Sequence, residues 1–234
     1  MSAGVGVARQ TPAGMRRRLR VLITSGPTRE AIDAVRFISN YSTGYMGAQL
    51  AQEALRRGHR VAVISGPSTE ALPVRARVIP VESARDMERV LYAQTRRADV
   101  IIMAAAVADF YPVRRHREKL SRGKRVALRL RPTPDLLAHL PRRDSQVIVG
   151  FALETGRVIE RAARKLRDKR ADVILAQRAR RGTTPFGRHQ VEAWVLERMG
   201  HITPLGRASK TRVARVLLDK AEALWYGQRG SHQI

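Results

Sequence analysis

Three groups of residues in this chain could do chemistry, and the first of them fits a phosphate. The first is Phe37-Ile-Ser-Asn-Tyr-Ser-Thr-Gly-Tyr-Met-Gly47, a polar stretch with two glycines that tips into an amphipathic helix. Ahead of it an apolar run, Val21-Leu-Ile-Thr, stops at Ser25-Gly26-Pro27, where a strand must end. Strand, loop, helix and the following strand Val61–Ile64 make a βαβ unit. Its loop would set free backbone N–H groups and the positive end of the helix at the strand's carboxyl edge, where α/β proteins bind phosphate. The second is Asp109, which follows the apolar run Asp99–Ala106 and would sit at the same edge. The third is Arg161, Lys165 and Lys169, spaced by four and therefore on one helical face. The loop matches neither GxGxxG nor the Walker pattern, so on spacing alone it also fits a polar loop capping the first helix of any doubly wound sheet.

The elements that must position these groups alternate along the chain. Ala48, Leu50, Ala51, Ala54 and Leu55 form a helical stripe that Gly58 ends. Val78–Val81 reads as a short strand, and Ser83 as the N-cap of a helix over Ala84–Arg97. Asp99–Ala106 is a near-continuous apolar strand, typical of a buried parallel sheet. Residues 111–125 have no apolar period and read as a charged insertion, either a bulge or a lid. Val126–Leu130 alternates as a strand, Pro132-Thr-Pro134 forces a turn, and Asp135 opens a short helix over Leu136–Leu140. Val147–Ala152 is another buried strand. Thr155 caps a helix over Arg157–Arg170 whose inner face is Val158, Ile159, Ala162, Ala163 and Leu166. Asp172–Leu175 is a strand, Gln190–Leu196 and His201–Leu205 make an edge hairpin, and Ser209 caps a last helix over Val213–Trp225. The expected fold is a three-layer α/β/α, Rossmann-like, mostly parallel sheet with an antiparallel edge hairpin. One domain spans 19–227, with 111–125 as a flap and tails at 1–18 and 228–234.

Composition narrows the chemistry. At 234 residues one sizeable core is expected. No cysteine is present, which excludes disulfides, thiol nucleophiles and cysteine metal sites. No metal cluster is expected either. The first residues lack the apolar centre of a secretory signal and no run is long enough to span a membrane, so a cytoplasmic protein is expected. The formal charge of +25 invites a nucleic-acid reading. Against it, aromatics are 5% of the chain and do not interleave with the basic runs as a stacking platform would. Six of the 45 basic residues are lysine, at 119, 124, 165, 169, 210 and 220, and the arginines are scattered over nearly every helix.

Five separated stretches, in order, carry a resemblance. Ser25-Gly-Pro-Thr-Arg-Glu, Arg36-Phe-Ile-Ser-Asn-Tyr-Ser-Thr-Gly, Ala105-Ala-Val-Ala-Asp-Phe, Glu118-Lys-Leu and Gly150-Phe-Ala-Leu-Glu-Thr resemble phosphopantothenate–cysteine ligase, the phosphopantothenoylcysteine synthetase of coenzyme A synthesis. The resemblance implies a free-standing synthetase without the decarboxylase flavoprotein domain often fused ahead of it. It implies CTP or ATP as cosubstrate with Mg²⁺, phosphopantothenate and L-cysteine as substrates, a homodimer, and a separate decarboxylase flavoprotein as partner. The carboxylate would be activated as an acyl-nucleotide with loss of pyrophosphate, and the cysteine amine would then form the amide. That chemistry asks the protein for placement and countercharge and for no covalent nucleophile.

The resemblance also implies roles. Asn40 would hold the intermediate through its amide; Ala105 and Ala106 would offer backbone and little bulk beside it. Gly44 and Gly47 would let backbone approach phosphate, and Asp109 would contact the nucleotide. Lys119 would lie on a mobile flap that closes over the acyl-phosphate region. The turn Thr133-Pro134-Asp135-Leu136 would contact the nucleotide, Phe151 would lie against the base, and Lys165 and Lys169 would hold the triphosphate. The chain departs from the family at Tyr45, where a basic residue is usual, at Ala31 and Ala34, where prolines often stand, and at Thr133, where asparagine is usual. Ala176-Gln177-Arg178 replaces Ala-Asn-Asp, and Ser121-Arg-Gly makes the flap poor in lysine. These changes bear on nucleotide choice more than on fold. Two alternatives are a nicotinamide- or flavin-dependent reductase and a nucleic-acid-binding module. The first lacks GxGxxG and has Ser65 where a ribose-binding acid would end the second strand.

Overall fold

The computed structural model describes residues 17–122, 125–180 and 185–230. Chain order is β1 (Arg20–Ser25), β2 (Arg29–Ala31), β3 (Phe37–Ser39), α1 (Tyr45–Arg56), β4 (Arg60–Ser65), β5 (Arg77–Pro80), α2 (Ala84–Thr95) and β6 (Val100–Met103). Then follow β7 (Phe110–Pro112), β8 (Leu130–Pro132), β9 (Val147–Glu154), α3 (Val158–Asp168), β10 (Val173–Arg178), β11 (Val191–Glu197), β12 (Ile202–Ala208) and α4 (Lys210–Gly230). The main sheet has eight strands in the order β12-β11-β10-β9-β6-β1-β4-β5. The six from β10 to β5 run parallel, and β11 and β12 add an antiparallel edge. This is the expected Rossmann-like α/β architecture.

Strand alternation builds the three layers. Val21, Ile23, Val61, Val63, Val100 and Ile102 belong to one cluster with Leu50, Ala51 and Ala54 of α1 and Leu217 and Ala221 of α4. Leu22, Ile64, Ile101 and Ile148 belong to the other, with Met87 and Leu91 of α2 and Ala162 and Leu166 of α3. Each fully buried leucine or isoleucine among them contributes about 1.5–3 kcal/mol of transfer free energy. Helices α1 and α4 are further joined by charge. Arg57 Nη1 lies 2.7 Å from Asp219 and 3.1 Å from Glu222, and His59 Nε2 lies 2.9 Å from Glu222. Among the described residues no helix is long and apolar enough to cross a membrane.

Ser83 caps α2 as expected, its Oγ accepting from Asp86 N at 3.2 Å while the Asp86 carboxylate accepts from Ser83 N at 3.2 Å, a reciprocal capping box. Ser209 Oγ accepts from Arg212 N at 3.2 Å at the start of α4.

Several expectations are corrected. Val126–Leu130 does not form a strand; the pairing is Leu130–Pro132 with Phe110–Pro112, in a small separate ladder. Val126, Leu128 and Leu130 are all exposed, so no core face exists for their alternation to bury. Leu136–Leu140 is a turn, not a helix. Asp135 Oδ1 accepts from Leu137 N and Ala138 N at 3.1 and 3.0 Å, and Pro141 leaves no room for a second turn to repay nucleation. Thr155 is not the cap of α3. That helix starts after Arg157, which adopts φ 47° with no side-chain cap, and Ile159 is exposed. The strand expected to reach Ala106 ends at Met103; beyond it one isolated parallel bridge, Pro27 with Ala106, keeps the register of β1 and β6, with Ala106 N donating to Gly26 O at 2.9 Å. Helix α4 runs into the segment expected to be a C-terminal tail; the remainder of that tail, 1–16 of the N-terminal tail, and 123–124 of the flap lie outside the described residues.

The first loop carries an unforeseen hairpin, β3 folding back on β2. The charged insertion docks against it. His116 N donates to Ile32 O at 2.9 Å, Leu120 N to Asp33 Oδ2 at 3.1 Å, and Arg36 Nη2 to Leu120 O at 2.8 Å.

Candidate functional site

The carboxyl ends of β1, β6, β9 and β10 open onto a cleft of about 460 Å³. One wall is the first loop and the start of α1: Asn40, Ser42, Thr43, Gly44, Tyr45, Met46 and Gly47. The floor is Met103–Asp109 beyond β6. The opposite wall is Thr133–Leu137, Phe151 and Leu153 of β9, Lys165 and Lys169 of α3, and Gln177 of β10. Of the fourteen residues to which the resemblance gives roles, thirteen stand on this lining and Lys119 does not; Arg161, the third member of the basic row, is also off it. Lys119 is exposed, within the charged insertion docked along residues 32–36.

The geometry refines what each residue offers. Asn40 Nδ2 donates to Ala106 O at 3.0 Å and to Val107 O at 3.1 Å. Both amide hydrogens are thereby used, and the side-chain oxygen is the atom left to act, as an acceptor. The N–H groups of the two alanines are also committed: Ala105 N donates to Thr24 Oγ1 at 3.1 Å and Ala106 N to Gly26 O at 2.9 Å. These alanines therefore contribute a small, rigid floor and an anchor for Asn40, rather than donors to a ligand.

Gly44 and Gly47 are required by packing. Gly44 has φ 85°, and a Cβ on it would lie 2.2 Å from Ser68 Oγ. A Cβ on Gly47 would lie 2.1 Å from Ser25 Oγ. The absence of side chains brings the first turn of α1 down onto the end of β1. Its positive dipole end stands at the cleft, where Tyr45 N donates to Thr43 Oγ1 at 3.3 Å and Met46 and Gly47 complete the lining.

The basic row is held by acids. Lys165 Nζ lies 2.9 Å from Glu154 Oε1, and Arg161 reaches the same carboxylate at 3.3 Å. Lys169 Nζ lies 2.7 Å from Asp135 Oδ2. Burial pushes both carboxyls up, but the lysines, with Arg161 at Glu154 and two backbone N–H groups at Asp135, hold each below its usual range. Asp109 is exposed, and its carbonyl accepts from Thr133 N at 2.8 Å, tying the turn to the floor. The Thr133 hydroxyl is buried with no hydrogen-bond partner among the described residues, which suits a ligand partner on the cleft side.

Sequence reasoning missed Lys210, at the start of α4. It is 5% exposed and lines the cleft with Pro185, Phe186 and Gly187. The signal that could have found it was its type: a lysine in a chain that otherwise prefers arginine. Among the described residues no three His, Asp or Glu side chains cluster as metal ligands.

The chain is similar to known proteins along most of its length. The curated relatives include a protein named cysteine/cysteine sulfinic acid decarboxylase from an unknown prokaryotic organism, 38% identical over 211 residues, 86% of this chain and 57% of that one. Another is the coenzyme A biosynthesis bifunctional protein CoaBC of Bacillus subtilis (strain 168), 39% identical over 208 residues, 87% of this chain and 51% of that one. The chain thus spans about half the length of these relatives. Among solved structures, the crystal structure of the C-terminal domain of a coenzyme A biosynthesis bifunctional protein CoaBC superposes with a TM-score of 0.77 at 35% identity, covering 89% of this chain and 96% of that one. The model of the DNA/pantothenate metabolism flavoprotein C-terminal domain matches residues 16–224, and with the cleft in place at the carboxyl ends of β1, β6, β9 and β10 the chain belongs to that family.

Proposed function

We propose that this chain is a phosphopantothenate–cysteine ligase, joining phosphopantothenate to L-cysteine at the expense of CTP or ATP. The observation that carries the reading is convergence. A helix N-terminus, Asn40, Asp109, the Thr133–Leu136 turn, Phe151, Lys165 and Lys169 come from distant parts of the chain and line one cleft. The kinship with bifunctional coenzyme A biosynthesis proteins supports it.

In this reading a carboxylate oxygen of phosphopantothenate attacks the α-phosphorus of the nucleotide. The P–O bond to pyrophosphate breaks, and an acyl-nucleotide is left in the cleft. The amine of cysteine then attacks the acyl carbon; the C–N bond forms, the nucleoside monophosphate leaves, and the amine gives up its proton. The protein's share is positional and electrostatic. The start of α1 and the lysines of α3 neutralise phosphate oxygens. Phe151 and Leu153 give the base an apolar wall. The Asn40 oxygen is free to accept from a ligand N–H or hydroxyl. The described residues offer no cluster of metal ligands, so Mg²⁺ would enter as the nucleotide's own counter-ion.

A homodimer, a separate decarboxylase flavoprotein acting on the product, and a cytoplasmic location belong to the same proposal. The test is to incubate purified protein with Mg²⁺, phosphopantothenate, L-cysteine and either CTP or ATP, following pyrophosphate and the mass of the amide. Pyrophosphate and amide in equal amounts are expected; release of neither with either nucleotide refutes the reading.

A further inference from the structure

Lys210 is the first residue of α4, with a side chain almost wholly out of solvent yet on the cleft wall. Its Nζ donates to Gly187 O at 2.7 Å and stands 6.0 Å from the ring centroid of Tyr45, the residue that opens α1. Unlike Lys165 and Lys169, it has no carboxylate within ion-pair distance among the described residues. Glu70 acts on it through charge alone and is itself paired with Arg188 at 3.3 Å. The Arg188 guanidinium also lies over Tyr45, 5.3 Å from its centroid. Burial pushes the ammonium down to about 8, and Glu70 only partly offsets this.

A buried cation with one neutral acceptor and, among the described residues, no carboxylate closer than the distant Glu70 costs stability that methionine or leucine would not. The cost is offset once an anion occupies the cleft beside it. The N–H groups at the start of α1 face the same space, so two independent features, a helix end and a buried lysine, ask for the same chemistry there.

We infer that Lys210 is a further polyanion contact, supplying countercharge to a phosphate chain seated at the N-terminus of α1. The inference rests on the reading of the cleft as a nucleoside triphosphate site, and it adds a cation from the opposite end of the chain to those on α3. It makes Lys210 a binding residue for phosphate oxygens and gives it no part in proton transfer.

The test is calorimetric titration of inorganic tripolyphosphate, and separately of CTP, into wild type, Lys210→Met and Lys210→Arg. At pH 7 the methionine variant is expected to bind tripolyphosphate about tenfold more weakly or worse, as for loss of one charged hydrogen bond. Arginine should keep part of the affinity. Raising the pH from 7 to 9.5 should weaken binding to wild type more than to Lys210→Met. The titratable and charged groups facing Lys210 are Tyr45 on α1 and Glu70 and Arg188 on the flanking loops, and the comparison cancels their common share. A melting curve confirms that the variant is folded. Loss of threefold or less in Lys210→Met, or no tripolyphosphate binding by wild type, overturns the inference. If wild type makes no amide while tripolyphosphate affinity still depends on Lys210, the ligase reading fails and the phosphate contact stands.

Discussion

Replacing Asn40 by aspartate changes almost nothing in size and reverses everything in hydrogen bonding. In the wild type both Nδ2 hydrogens are given to carbonyls, at 3.0 Å to Ala106 O and 3.1 Å to Val107 O. Aspartate would bring oxygen against oxygen. Losing two hydrogen bonds of about 1 kcal/mol each puts the stability cost near 2 kcal/mol, since the side chain is exposed and water can repair part of the damage. At about 2–4 °C per kcal/mol for a domain of this size, the melting point should fall by about 4–8 °C, and the fold should survive. The catalytic cost is larger. An added negative charge about 4 Å from a substrate carboxylate or phosphate, at an effective dielectric constant of about 20, is worth about 4 kcal/mol, or about a thousandfold in kcat/KM. The assay is the initial rate of pyrophosphate and amide formation, with melting curves on the same preparations. Asn40→Ala separates the terms, because it removes the donors without adding charge and should lose distinctly less rate. An Asn40→Asp protein that melts as expected but keeps a tenth of wild-type kcat/KM refutes the reasoning.

Three further outcomes follow from the same cleft. Gly47→Ala puts a methyl 2.1 Å from Ser25 Oγ and should cost about 1–3 kcal/mol, read as a lower denaturant midpoint; Ser25→Gly in the same chain should recover part of it. Glu154→Gln releases Lys165 from its 2.9 Å ion pair and should lower the KM for nucleotide by about threefold, with about 1.5–3 kcal/mol lost in stability because the Glu154 carboxylate is buried between two cations; an unchanged or higher KM counts against Lys165 as a phosphate ligand. Lys210→Met should be more stable than wild type at pH 7. Because the folded-state pKa of Lys210 is lowered to about 8, the unfolded chain holds the extra proton between about pH 8 and the ordinary lysine value of about 10.4. Wild type therefore gains stability over that window and the gap between the two proteins should close, as paired thermal melts at pH 7 and 10 would show.

The parallel sheet was legible in the sequence because Val147–Val149 and Val100–Ile102, buried on both faces, read as unbroken apolar runs. Ser83 and Ser209 were legible because an N-cap is a local transaction between neighbours. Most of the cleft lining was identified through stretches of specific wording, and the fold then brings those stretches together. What stayed hidden depends on contacts made at long range. The three-residue strands of the β2–β3 hairpin are too short for any period to declare itself. Val126–Leu130 alternates, yet alternation means nothing without a surface to receive it. Lys165 and Lys169 were legible as a row, but not their pairing with Glu154 and Asp135, which only the turn before β9 and the end of β9 supply. Nothing local in the sequence marks Lys210 as buried; it packs near Tyr45 and Gly187, both far away in sequence.

The seam between α1 and α4 has a consequence for synthesis on the ribosome. Helix α1 emerges early, but the apolar side that it turns toward Leu217 and Ala221, and the Asp219 and Glu222 carboxylates that engage Arg57 and His59, come from the last stretch translated. Until then its greasy flank has no cover. A nascent chain stalled before residue 210 would expose that flank to chaperones, and the cleft-facing end of α1 would settle only after the C-terminal helix docks.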